Sequence, residues 1–382
     1  MKNAPNGWNS GRFEDFVILQ RGFDLTKDNA RKGNIPVISS SGITYYHDTA
    51  MVEPPGVITG RKGSLGKVFF VDTPFWPHDT TLWVKDFKGN HPEFVKIFLE
   101  SLDLARFDAA TSVPTLNRNN VHKLRTAFPP LPEQRKIAEI LSTWDEAIAA
   151  SQRLLSALRE RKKGLMQRLL TGQVRFAGFD GEWKETRLGD IGDYYSGLSG
   201  KTKEDFGFGK PYITYRNIFE NSKINPAKLD FVNVLEGESH NSVNRGDVFF
   251  TLSSETPDEV GMSSVLLDDL GECYLNSFCF GFRLRDMGYL LPEYARFLFR
   301  SDIFRRKMFK LAQGSTRYNI SKREVMKFTF ELPAIPEQEK IVSILDGCET
   351  EIDLLSRKLE ALQAQKKGLM QRLLTGQVRV RV

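Results

Sequence analysis

The chain has 382 residues, 40% of them apolar and 28 of them phenylalanine, which is long for one ordinary domain and supplies material for two or three cores. Its formal charge is +6, from 54 basic and 48 acidic residues, an excess that suits a polyanionic partner without demanding one. Three cysteines without a C-x-x-C pair argue against a disulfide framework and a zinc site, and the five histidines (His47, His78, His91, His122, His240) lack metal-ligand spacing. The opening MKNAPNGWNS has no apolar signal-peptide core, and no run reaches the ~18 apolar residues that would span a bilayer. The expectation is a soluble, cytoplasmic chain with no membrane partner and no metal of its own.

In chain order, residues 1–130 form a first unit. It opens with GWNSGRFEDF (Gly7–Phe16), continues through β-branched and aromatic runs at Ile35–Tyr46, Gly56–Val71 and Thr80–Phe87, and adds a helix over Pro92–Leu104. It closes with TLNRNNVHKL (Thr115–Leu124). A long helix follows in 131–176. Pro132 opens it where a missing N–H costs nothing, Glu133 complements the dipole, and Gly172 sits where a left-handed cap ends it.

Residues 177–334 form the second unit. EWKETRLGDI (Glu182–Ile191) aligns its Trp183 with Trp8, strand-like runs lie at Pro211–Ile218, Gly246–Ser254 and Ser277–Arg285, and a helix is expected over Pro292–Lys310. NISKREVMKF (Asn319–Phe328) closes it, and a second long helix occupies 335–382 with Pro336, Glu337 and Gly376 at the corresponding ends.

The two long segments are copies. Leu131–Arg175 recurs as Ile335–Arg379 at an offset of 204 without a gap; 26 of 45 positions are identical, and KKGLMQRLLTGQVR is unchanged. The domain openings and closings repeat as well, while the middles do not align, so one frame is duplicated around two different inserts. Within the first helix a 4-3 spacing runs Ile137, Leu141, Trp144, Ile148, Ser151, Leu155, Leu158, Lys162, Leu165, Leu169. The second reads Ile341, Leu345, Cys348, Ile352, Leu355, Leu359, Leu362, Lys366, Leu369, Leu373. A sustained 3.5-residue period is a coiled-coil seam, and the simplest partner for each seam is the other copy.

A helix of ~39 residues is about 58 Å long. An antiparallel pair brings the end of the first helix near the start of the second, which suits a compact domain between them. The fold class expected is therefore α+β: two β-rich mixed α/β domains, one at each end of a long antiparallel two-helix coiled coil, with pseudo-two-fold internal duplication.

Motifs for self-sufficient chemistry are missing. No N-P-P-Y-like amino-methyltransferase motif occurs. Phe206-Gly207-Phe208-Gly209 reads as an ordinary turn rather than a cofactor loop. Gly60–Val68 has the wrong glycine spacing for a phosphate loop, with Val68 where a magnesium-holding Ser/Thr would stand. Asp180-Gly181-Glu182-Trp183-Lys184 has a nuclease-like flavour, but its counterpart Asn6-Gly7-Trp8-Asn9 has no acid. No catalytic residue is assigned.

The helix motif P-x-E-Q-x-K-I…K-K-G-L-M-Q-x-L-L-T-G, present at Pro132–Gly172 and Pro336–Gly376, and the opening W-K-x-x-x-L-G-D-I at Trp183–Ile191, resemble the specificity subunits of type I restriction–modification systems over nearly the whole chain. The first opening departs from the pattern at Arg12–Asp15. The resemblance implies a non-catalytic protein whose two target recognition domains each read half of a bipartite site in double-stranded DNA. It implies a helical pair that sets the gap and docks modification subunits, which bind S-adenosylmethionine and methylate adenine. It also implies a separate restriction subunit, a motor and nuclease that uses ATP and magnesium; this chain itself would hold no cofactor. Because the inserts differ, the two half-sites should differ. A coiled-coil scaffold that never touches DNA is the alternative.

Reading bases takes Arg, Lys, Asn, Gln or Ser at base edges. The candidates are Ser39, Ser40, Ser41, Tyr45, Arg61, Lys62 and Ser64 in the first unit. In the second they are Tyr215, Arg216, Asn217, Ser253, Ser254, Arg317 and Tyr318. Each could equally be a turn former or a solvated charge. The basic cluster Arg159, Arg161, Lys162, Lys163, Arg168, echoed by Lys366, Lys367 and Arg372, fits either dipole matching or backbone tracking.

Overall fold

The repeat folds as two long helices, Leu131–Leu169 and Ile335–Leu374, in a computed structural model that describes residues 4–107 and 114–381. Past each helix the backbone turns left-handed at Gly172 (φ +69°) and Gly376 (φ +68°), and the N–H groups of Val174 and Val378 return to the carbonyls of Arg168 and Arg372. A Cβ on Gly376 would stand 2.2 Å from Pro5 Cγ, so glycine is required there for space as well as for φ. Every residue of the 4-3 seam is buried or half-buried, Lys162 and Lys366 included, whereas Leu154 and Leu354, one position off it, are more than half exposed.

The chain forms two compact units, Met1–Arg153 with Ser356–Val382, and Leu154–Leu355. Each contains part of both helices, and in each the helices run antiparallel. In the first unit Asp145 meets Lys366 at 2.5 Å and Glu133 meets Arg379 at 2.7 Å; in the second Lys162 meets Glu349 at 2.5 Å, Arg161 meets Glu351, and Arg175 meets Glu337 at 2.7 Å. Partner numbers fall in one helix as they rise in the other. Lys162 and Lys366 are the charged members of an apolar seam, each neutralised by an acid of the facing helix, the arrangement by which a polar seam position sets register.

The two inserts share one topology despite their unalignable sequences. The first unit has a four-stranded antiparallel sheet in the order Ile18–Arg21, Thr81–Asp86, Gly56–Gly60, Val68–Val71. The second has the same order in Gly192–Ser196, Cys279–Leu284, Val248–Thr251, Ser263–Val265. Each unit adds a three-stranded sheet with one antiparallel and one parallel neighbour: Gly42–His47, Ile35–Ser39, Trp76–Pro77, and Asp230–Val232, Phe206–Ile213, Tyr274–Leu275. A two-stranded ribbon joins each opening to its closing, Asn9–Arg12 with Arg125–Phe128 and Lys184–Arg187 with Thr329–Leu332.

Three expected elements are corrected. The run Pro211–Ile218 is not all strand: it stops at Ile213, and Thr214 accepts a hydrogen bond from Asn217 N at 3.1 Å to cap a short helix, Tyr215–Glu220. Pro292–Lys310 is two helices, Pro292–Leu298 and Asp302–Leu311, the second capped by Ser301. Phe206–Gly209 is the bulged start of a strand, with Gly207 and Gly209 at positive φ, rather than a turn.

Each core takes the start of one helix and the end of the other. In the first unit Phe13, Phe16, Phe94, Phe98 and Phe128 pack ring to ring with centroids 4.6–6.4 Å apart, against Ile137, Leu141 and Leu373. In the second, Phe250, Phe280, Phe299, Phe304 and Phe330 do the same against Leu169, Ile341 and Leu345.

Both helix starts are locked by one device. Glu133, 2% exposed, accepts Nε and Nη2 of Arg379 at 2.7 and 2.8 Å and Trp8 Nε1 at 3.2 Å. Glu337, also 2% exposed, accepts the same atoms of Arg175 at 2.9 and 2.7 Å and Trp183 Nε1 at 3.1 Å. The neighbouring Gln134 and Gln338 each donate to the carbonyl five residues back (Pro129, Pro333) and accept the backbone N–H of His91 and Leu291.

Two outcomes follow from these buried groups. Glu337→Ala leaves Arg175 and the Trp183 N–H without their acceptor and should lower stability by about 2–4 kcal/mol, less for Glu337→Gln, as read by urea unfolding. His122 Nε2 accepts the N–H of Leu19 at 3.0 Å, and burial holds the imidazole below its ordinary 6.5 against the opposing pull of Glu14. The folded state therefore binds the proton less well than the unfolded state. Its contribution is present above the ordinary imidazole value and lost as pH falls through the lowered one; thermal midpoints should drop more steeply there for the parent chain than for His122→Gln.

Candidate nucleic-acid interface

In both units the chain leaving the third strand of the four-stranded sheet runs beside the closing frame. In the first, Arg61 N donates to Thr80 O at 2.8 Å, Leu116 N donates back to Arg61 O at 2.8 Å, and Lys62 bridges to Thr115. In the second, Leu252 N donates to Phe278 O at 2.9 Å, Ile320 N to Leu252 O at 3.1 Å, and Ser253–Ser254 pair with Tyr318–Asn319. These bonds make Arg61 the counterpart of Leu252 and Thr80 that of Phe278. Candidates chosen separately in the two inserts thus converge on one location in the fold.

The first unit makes this location cationic. Arg21, Arg61 and Arg118 line a cleft with Leu82, Thr115 and Leu116. Arg21 is paired with Asp79 at 2.8 Å, and Arg61 Nη1 donates to the Asp79 carbonyl at 3.2 Å. Burial, then the like charge of Arg21, hold the Arg61 guanidinium below its ordinary value. Arg118 is exposed, in the turn capped by Asn117, and has no ion pair among the described residues. Gly60 permits the tight loop, since Ser64 O lies 1.9 Å from where a Cβ would stand. Lys62 is exposed and Ser64 half-buried on that loop, and Ser40 packs against Gly60.

In the second unit the same position carries different side chains. Ser196 stands where Arg21 does in the strand pairing, and Lys322, offset 204 from Arg118, donates to Ser196 Oγ at 2.7 Å. The surface there is aromatic: Phe278 is 55% exposed, the Arg317 guanidinium lies 5.7 Å from its ring centroid, and Tyr215 donates its hydroxyl to Ser253 O at 2.8 Å.

Several expected readers are placed otherwise. Asn217 is 1% exposed, its amide donating to Asn225 O and Lys228 O and its oxygen accepting from Asn225 N and Asn221 Nδ2; it staples a turn and has nothing left for a base. Ser39, Ser40, Ser253 and Ser254 are buried, and Ser39 Oγ is committed to Ser41 and Gly42 while Ser254 donates to Glu259. Their side chains shape the surface from beneath; Ser41 stays exposed. Tyr45 is held by the Leu25 carbonyl, and Arg216, exposed, pairs with Glu220 at 2.5 Å. Arg161 and Lys162 of the helix cluster are spent on the facing helix, which is neither dipole matching nor backbone tracking. Arg21, Arg118, Lys322 and Phe278 were not among the sequence candidates. The signal for Arg118 and Lys322 lay in the closing frame, where they occupy matching positions.

Among the described residues one group of potential metal ligands gathers, Asp24, His78 and Asp79, within 4.8 Å. Arg21 already neutralises Asp79, and the His78 nitrogens face Thr80 Oγ1 at 3.0 Å and the Leu25 carbonyl at 3.2 Å.

The family model described as Type I restriction modification DNA specificity domain matches residues 5–160 and again 180–364. The chain belongs to this family. The specificity subunit of the type I restriction enzyme MjaVIII from Methanocaldococcus jannaschii is 24% identical over 314 residues, 75% of this chain and 70% of that one. The crystal structure of the S subunit of a type I restriction–modification system from M. genitalium superposes with a TM-score of 0.60 at 15% identity, over 98% of both chains. A chain solved in work on complex assembly and conformational transition of the type I system superposes at 0.63 and 18% identity, over 99% and 100%. The α+β fold with its internal duplication is that of the family's S subunits. Among the described residues no helix is long and apolar enough to cross a membrane.

Arg118→Ala should weaken binding to duplexes of any sequence alike and reduce the slope of log affinity against log salt by about one, measured by fluorescence anisotropy across salt concentrations.

Proposed function

We propose that this chain is the sequence-reading, non-catalytic subunit of a type I restriction–modification complex in the cytoplasm, and that each compact unit reads one half of an asymmetric bipartite DNA site. The observation that carries this reading is the single location in a shared topology, cationic around Arg61 in one unit and aromatic around Phe278 in the other. Two readers with one scaffold and different surfaces serve two different half-sites. Positioning falls to Arg21, Arg118 and Lys62, whose charges suit phosphates; Arg61, Ser41, Ser64, Arg317 and Tyr318 are the side chains suited to base edges.

The antiparallel helices hold the spacing between half-sites and dock modification subunits. S-adenosylmethionine belongs on those subunits, and ATP with magnesium on a restriction subunit. No group on this chain is assigned a chemical step.

Single-molecule methylation mapping of DNA from cells expressing this chain with a cognate modification subunit tests the reading. A bipartite motif with methyladenine in both halves is expected, and exchanging residues 1–128 for another such domain should change one half alone. A complex that assembles and marks no motif would favour a scaffold that does not touch DNA, and a change in both halves would end the modular assignment.

A further inference from the structure

We infer that Phe278 is a specificity-determining residue that reads the methyl group of a thymine in the half-site of the second unit. The inference rests on the DNA-reading assignment and deepens it.

The geometry of Phe278 differs from that of a stray surface apolar residue. Its N–H donates to Asn276 Oδ1 at 2.9 Å and its carbonyl accepts the N–H of Leu252 at 2.9 Å, so both backbone groups are tied down. The next residue, Cys279, is fully buried in the central sheet, which turns the Phe278 ring outward, 55% exposed. Leu252 links this turn directly to the Ser253–Tyr318 ribbon and to Ile320 in the closing frame. The ring therefore stands in the location that in the first unit is lined by Arg61 and Arg118, at the position of Thr80.

Thr80 is turned back into its own turn, with Oγ1 3.0 Å from His78 Nδ1, so the first unit offers no outward group there. A rigidly held apolar ring in one reader and none in the other is a difference that contributes to recognition rather than to the scaffold. The Arg317 guanidinium, 5.7 Å from the ring centroid and exposed, holds a cation beside the ring. It balances the apolar surface and brings the ring to a phosphate-lined groove.

In the major groove the apolar mark that distinguishes one base from the rest is the thymine C5-methyl, and a phenylalanine ring is among the side chains that contact it. The seat of the ring, beside an arginine and next to the Ser253–Tyr318 ribbon, fits the edge of a duplex, where a cation meets phosphate while an apolar group meets a base.

The test uses the chain assembled with its modification subunits and duplexes carrying the mapped motif, with each thymine of the second unit's half-site replaced in turn by deoxyuridine. At one position the wild-type complex should lose about fourfold in affinity, the factor for one buried methyl group. Phe278→Ala should bind thymine and deoxyuridine duplexes equally at that position, and Phe278→Leu should keep part of the difference. Thermal midpoints equal to wild type establish that the variants are folded. Wild-type complex that binds its motif but tolerates deoxyuridine everywhere, or Phe278→Ala that retains the same ratio, overturns the assignment of Phe278 alone. A wild-type complex without sequence-specific binding overturns the DNA-reading assignment beneath it.

Discussion

A buried carboxylate held by a guanidinium and an indole is the constraint on which each unit is built. The glutamate belongs to the first turn of one helix copy, the arginine to the last residues of the other copy, and the tryptophan to the opening of the domain. Three segments far apart in sequence must meet to neutralise Glu133, and two to neutralise Glu337, whose Arg175 and Trp183 are near neighbours in the chain; a carboxylate at 2% exposure cannot remain without that partner. The pairing fixes the antiparallel sense, the entry angle of each helix and the position of the ribbon that carries the tryptophan. The adjacent glutamine extends the lock to the helix on the sheet through His91 N or Leu291 N.

Around that frame the inserts follow one hydrogen-bonding plan with different side chains. The turn at Pro77–Thr81 and the turn at Leu275–Cys279 receive the same backbone bonds, from Phe23 and Arg61 in one unit and from Leu198 and Leu252 in the other. Gly22 and Gly197 lie where a Cβ would strike the carbonyls of Pro77 and His78, or of Leu275 and Asn276, at 2.1–2.7 Å. Backbone geometry at these points is shared, and the outward side chains are free to differ. A surface built this way changes its chemistry without changing its strand order.

Much of this was legible in the sequence because it is written in local, periodic signals. The seam, the terminal glycines and the antiparallel sense follow from spacing and chain length, and the structure has all three. Strand order was not legible, since it is set by pairings between residues far apart, such as Ile58 with Trp83 and Ile18 with Asp86. The role of Glu133 was underread: a glutamate in a first turn serves the dipole in any helix, and only the return of Arg379 shows the larger use. Asn217 misled for a chemical reason. The amide that can read adenine can equally satisfy four backbone and side-chain partners in a turn, and burial alone tells the two apart. Phe278 escaped notice because an aromatic residue in a strand-like run reads as core until its neighbour Cys279 is seen to take the inward position.

The division of the chain also bears on the order in which the protein can be completed during synthesis. The second unit is one continuous stretch, Leu154–Leu355, and all its core residues and its Glu337–Arg175 lock have left the ribosome once that stretch has emerged. The first unit is made of two stretches, and Leu373, Leu374 and Arg379 come from the later one. The domain translated first is therefore the domain finished last, its Ile137 and Leu141 waiting as an open apolar stripe while about 230 residues are added at roughly 5–20 per second. A lesion that cuts the chain short between Leu355 and Leu373 leaves the second unit whole and falls on the N-terminal unit, at the far end of the gene from the damage.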